Sequence, residues 1–278
     1  MTDDPRDSVA DSAQPSAAQP RPKRKGLYVL PNAISLAALF ASFYAIVMAM
    51  NGRFELSVYG IFTAAVLDSL DGRVARMTHS QSAFGEQMDS LCDMVSFGAA
   101  PALIVYEWAL RDLGKWGWLP AFVYIAGAAL RLARFNTNIG VVDKRYFQGL
   151  PSPAAAALVM GLIWIMDDAG LRSVTKIDWL AWTAFGVTLY AGLSMVTNAP
   201  FYSFKDVSFK RSVPFIVLVA IAMAIAVINI HPPTVLFALF CIYGMSGYAV
   251  YGYKKAKGKP VSVIATSTDE PDEAGLHR

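Results

Sequence analysis

Residues 68–93 read "DSLDGRVARMTHSQSAFGEQMDSLCD", and they set four aspartates in a chain that otherwise has the composition of a lipid-soluble protein. The 278 residues are 55% apolar and only 16% charged, against roughly 25% charged in soluble domains. Apolar stretches long enough to cross a bilayer core of ~30 Å fall near residues 28–50, 54–72, 84–108, 116–136, 151–167, 179–197, 213–230 and 234–253. The expectation is an all-α polytopic membrane bundle of eight transmembrane helices.

The ends have a different character. Residues 1–26 are rich in Asp, Ser, Ala, Gln and Pro, without apolar periodicity or the core of a signal peptide, and finish on a basic cluster. Residues 254–278 run from "KKAKGKP" into an acidic end. Both are expected to be disordered tails on the cytoplasmic side. With eight spans, nineteen of the 24 Lys and Arg residues fall on the side of the two termini, leaving Arg53, Arg111, Lys115, Arg172 and Lys176 on the other. Positive charge retained in the cytoplasm orients the bundle that way. The net charge of +3 is then a matter of topology and anionic headgroups, and nucleic acid is not an expected partner. Cys92 and Cys241 both fall within expected helices, which argues against a disulfide framework. Trp116, Trp118 and Trp179 lie at span ends, as interfacial anchors do.

Acids inside spans are costly and usually functional. Asp68 and Asp71 are three apart, Asp89 and Asp93 four apart, so each pair shares one helix face. Gly85 sits one turn before Asp89 and leaves room for a ligand. The short connection "GRVARMTHSQSAF" is expected to be a turn that folds the two faces together. Two like charges 4 Å apart repel by about 4 kcal/mol at an effective dielectric of 20, so such a cluster must protonate or bind cations. Carboxylates alone suit Mg²⁺, Mn²⁺ or Ca²⁺ and not zinc. His79 reads as a solvated loop residue. Two functions remain open on these residues, a metal-bridged phosphate site and the ion pathway of a transporter. Arg76 and two glycines among the acids favour the phosphate.

The same stretch resembles the signature of the CDP-alcohol phosphatidyltransferase family, D-x-x-D-G-x-x-A-R-x8-G-x3-D-x3-D. All eight fixed positions match: Asp68, Asp71, Gly72, Ala75, Arg76, Gly85, Asp89 and Asp93. The resemblance extends from "LPNAIS" in the first span to about residue 197. It implies a six-helix catalytic core over residues 27–197, followed by two additional helices over 198–253. It further implies two divalent ions, Mg²⁺ or Mn²⁺, on Asp68, Asp71, Asp89 and Asp93, with Asp93 as general base. The donor implied is CDP-diacylglycerol, its nucleotide met by Ser35, Gly72, Ala75, Arg76 and Gly85. Ala38 stands where many members carry an arginine.

"DMVSFGAAPA" (93–102), "RLARFN" (131–136) and "FQGLPSPAAA" (147–156) are similar to the phosphatidylserine synthase branch. That similarity implies L-serine as acceptor, with Arg131 or Arg134 on its carboxylate and Ser96, Asn136 and Gly149 lining the same pocket. Other acceptors within the class are glycerol 3-phosphate, inositol and choline. The resemblance also implies a homodimer in a lipid membrane, expected here to be a bacterial cytoplasmic membrane.

Overall fold

A computed structural model describes residues 29–78, 80, 82–137, 146–171, 178–203 and 215–257. The two tails, His79 and the basic segments at 144–145 and 205–211 lie outside the described residues.

The described chain is almost wholly helical. Helix α1 spans Val29–Met50 and packs along α2, Phe54–Met77. Helix α3 runs from Ala83 to Trp108 with a wide π-helical stretch, Met94–Ala99, in its middle. A short 3-10 helix, Leu110–Trp116, bends by 96° into α4, Trp118–Thr137. Helices α5, Ser152–Asp168, and α6, Asp178–Val196, complete the central group. Then come α7, Phe215–Ile230, and α8, Pro232–Ala256.

Four of these helices are long and apolar enough to cross a membrane: Leu30–Met50, Ala83–Trp108, Trp179–Val196 and Pro232–Ala256. The bent pair ending in α4 makes a fifth if it counts as one span. The others miss for physical reasons that bear on the eight-span expectation. Helix α2 carries Glu55, Asp68, Asp71, Arg73 and Arg76. Helix α5 has only 17 residues and α7 only 16, about 25 Å of helix each at 1.5 Å per residue.

Helix α5 is central: Ala154 to Ile163 are buried without a break, against α2, α6 and α8. Around it lie the buried rings of Phe97, Trp108, Tyr124 and Phe201. The outer surface is apolar as well, with Phe40, Phe43, Leu193, Ile242 and Met245 each more than half exposed. A contiguous apolar exterior around an apolar core marks an integral membrane protein.

Two expectations are corrected. The stretch "GRVARM" is not part of a turn; α2 continues through it to Met77, because Arg, Val, Ala and Met all sustain a helix and only the Thr78–Ser82 segment breaks it. A small antiparallel pair also interrupts the all-helical picture: β1, Tyr146–Gln148, against β2, Pro200–Tyr202, in the register Gln148 opposite Pro200. Three-residue strands are too short to display a period of two.

Candidate active site

The acid cluster begins with how α3 starts. Ser82 takes an extended conformation, φ −143° and ψ 150°, and its Oγ accepts the backbone N–H of Gly85 at 3.0 Å. This N-cap fixes the first turn of α3, and Asp89 follows one turn after Gly85. A Cβ on Gly85 would stand 3.2 Å from Ser82 Oγ and 3.3 Å from Asn32 Oδ1, so any larger residue would crowd α1 off the entrance. From α1, Ser35 Oγ donates to Asp71 Oδ2 at 2.6 Å. That bond holds a carboxylate that is only 5% exposed.

Carboxylate oxygens of Asp68, Asp71 and Asp89 all lie within 4.8 Å of one another. The fourth acid is nearby: Asp93 shares a side-chain hydrogen bond with Asp68, and its Oδ1 is buried with no hydrogen-bond partner. Three converging carboxylates beside an orphaned buried oxygen, with no His or Cys in the set, form a donor group fit for a hard divalent cation.

A cavity of about 130 Å³ opens beside the cluster. All five residues expected to meet a nucleotide, Ser35, Gly72, Ala75, Arg76 and Gly85, line it together with Asp71 and Asp89. Asn32, Ser80, Ser82 and Glu86 line it too and were not foreseen. Asn32 was findable, since it lies one turn before Ser35 on α1. Ser82 was visible as a capping serine at the start of an apolar run.

The residues expected at the acceptor are more dispersed. Arg131 Nη1 donates to Ser152 Oγ at 3.2 Å, and its Nε is buried without a partner. Asp93 and Tyr243 both lie within electrostatic range of that guanidinium. Arg134 instead donates to the Val196 carbonyl at 3.1 Å and to Asn198 Oδ1 at 3.2 Å. Asn136 is exposed, and its Nδ2 donates to Ser90 Oγ at 3.1 Å. Ser96 is 2% exposed and pairs with Ser42 Oγ at 2.7 Å. Gly149 adopts φ +76°, and a Cβ there would lie 2.4 Å from the Met195 carbonyl oxygen. Only glycine fits that turn.

The π-helical stretch sets where Asp93 points relative to Arg131. Pro101 has no N–H to give to the carbonyl of Phe97 four residues earlier, and that carbonyl accepts instead from the buried Tyr124 hydroxyl at 3.0 Å. Helix α4, which carries Arg131, is thereby fastened to α3 just after Asp93.

The CDP-alcohol phosphatidyltransferase family model matches residues 28–197. The chain belongs to this family. Relatives along most of its length include a CDP-diacylglycerol–serine O-phosphatidyltransferase of Helicobacter pylori strain J99, 33% identical over 221 residues, 79% of this chain and 90% of the relative. A protein of the same name from Mycobacterium tuberculosis strain H37Rv is 30% identical over 233 residues, 81% of this chain and 79% of that one. Another, from Methanocaldococcus jannaschii, is 31% identical over 189 residues, 68% and 82% of the two chains. The transferase is thus an enzyme, and the transporter reading of its acids is set aside.

Proposed function

We propose that this transferase moves the phosphatidyl group of CDP-diacylglycerol to the hydroxyl of L-serine, giving phosphatidylserine and CMP. The observation that carries the reading is the position of Asp93, between the acid cluster that includes Asp68 and the Arg131 guanidinium. A proton acceptor there has a donor site on one side and a carboxylate reader on the other.

In this reading Asp93 takes the proton of the serine hydroxyl as its oxygen attacks the phosphorus that bears the diacylglycerol. The pyrophosphate P–O bond breaks and CMP leaves with both bonding electrons. Asp68, Asp71, Asp89 and Asp93 are the residues to hold two divalent ions, Mg²⁺ or Mn²⁺, which when bound supply neutralisation of the pyrophosphate charge. Ser35 orients Asp71, and Arg76 contacts the nucleotide phosphates across the opening left by Gly72, Ala75 and Gly85. Arg131 grips the serine carboxylate, a group that inositol, glycerol phosphate and choline lack. Ser96, Arg134, Asn136 and Gly149 complete the acceptor side. The names of the relatives support serine over the other alcohols.

The same reading places eight spans in a bacterial cytoplasmic membrane, with both termini cytoplasmic and the chain a homodimer. The six helices within residues 27–197 form the catalytic core, and α7 and α8 follow it. The deciding experiment supplies membranes containing the enzyme with CDP-diacylglycerol, Mn²⁺ or Mg²⁺ and a panel of labelled alcohols. Label should enter lipid from serine and from no other alcohol. Preferred use of glycerol 3-phosphate or inositol would assign a different acceptor to the same chemistry.

A further inference from the structure

The family match ends at residue 197, yet the last helix is fastened to the acceptor side of the site. Phe201 on β2 is fully buried against α8, so closely that a Cβ on Gly247 would come within 2.5 Å of its ring. Tyr243 and Tyr248 of α8 pack on the same ring, with centroids 5.8 and 6.1 Å away. Strand β2 in turn pairs with β1, which leads directly into Gly149. Two further bonds tie α8 to α6: the Tyr190 hydroxyl donates to the Gly244 carbonyl at 2.8 Å, and the Ser194 and Tyr248 hydroxyls are 2.8 Å apart.

Tyr243 is the member of this face that reaches the site. Its hydroxyl donates to the Tyr202 carbonyl at 3.2 Å, which fixes the phenol oxygen in place and commits its proton. That oxygen lies within electrostatic range of Arg131. A guanidinium offers its donors in a rigid planar fork, so its value to a carboxylate depends on which edge faces the pocket. Ser152 accepts from one end of the fork, Asp93 attracts it from α3, and the Tyr243 oxygen attracts it from α8. Removing the Tyr243 oxygen leaves the fork with neighbours from the core helices only.

We infer that Tyr243 is a positioning residue for acceptor binding, holding the Arg131 guanidinium so that α8 forms part of the acceptor pocket. This rests on the reading of Arg131 as the carboxylate reader. The test is Tyr243→Phe in the full-length enzyme, which keeps the ring on Phe201 and loses only the hydroxyl. The KM for serine should rise roughly fivefold, the worth of one ordinary hydrogen bond, with kcat, the KM for CDP-diacylglycerol and thermal stability unchanged. The preference for serine over serine methyl ester should fall by the same factor. An unchanged KM for serine overturns the inference, and so does an equal loss in every parameter, which would mark Tyr243 as a packing residue. Arg131→Lys measured alongside separates the two claims. If it leaves the KM for serine unmoved, the carboxylate reading fails and the positioning role with it. If it raises that KM while Tyr243→Phe does not, only the positioning role falls.

Discussion

The donor side of this site draws on neighbours in sequence: Ser35 on α1, the acids and Arg76 on α2, and Gly85 and Asp89 on the first turns of α3. The acceptor side draws on distant parts of the chain, joining Asp93 of α3, Arg131 of α4, Ser152 of α5 and Tyr243 of α8. Local helix geometry suffices to converge the first set. The second exists only when helices remote in sequence pack in the right register. Damage on the donor side should therefore remove chemistry outright, and damage on the acceptor side should change which alcohol is used and how tightly.

The largest effects belong to the acid cluster. Asp68→Asn, Asp71→Asn or Asp89→Asn should each weaken divalent-cation binding and abolish transfer. In the intact enzyme, activity lost to a chelator should return on adding Mn²⁺ or Mg²⁺. Full activity in excess chelator would remove the metal site from the account. Asp93→Asn comes next, because it keeps shape but cannot take a proton. Transfer should fall by the roughly 10²–10⁴-fold typical of a lost general base, while CDP-diacylglycerol and metal bind nearly as before. A variant that loses donor binding as badly as Asp68→Asn would move Asp93 wholly into the metal set and collapse the distinction between the two sides.

The two arginines sharpen the comparison at smaller scale. Arg131→Lys replaces a two-pronged donor with a point charge and should raise the KM for serine roughly tenfold, with little change in the KM for the lipid donor. Arg134→Lys should leave the KM for serine nearly unmoved, because Arg134 is engaged by the Val196 carbonyl and Asn198. The reverse ranking, read from serine titrations of both variants, would exchange their roles.

This division also explains what was legible before the fold was known. Asp68, Asp71, Asp89 and Asp93 announce themselves because a helix places residues three and four apart on one face, and the capping serine at 82 marks where the second face begins. The choice between Arg131 and Arg134 was not legible, since both sit on the last turns of α4 and only packing against α5 and α6 separates them. Tyr243 carried no signal at all among the aromatic residues of an apolar helix. Ser96 stood in a suggestive string, but its partner Ser42 lies on α1, out of reach of any spacing rule. The π-helical stretch had a single local sign in Pro101, whose effect on the Phe97 carbonyl depends on Tyr124 arriving from α4. The span count is obscured by the site itself: the charges that α2 brings to the cluster make it too polar to register as a crossing helix.

The central claim, that both sides act in one metal-dependent transfer, is tested most directly by CMP release from CDP-diacylglycerol, measured with and without serine and with and without chelator. One CMP should appear for each phosphatidylserine formed when serine and Mn²⁺ or Mg²⁺ are both present, and almost none when either is withheld. CMP released at the same rate without serine, or in excess chelator, would contradict it.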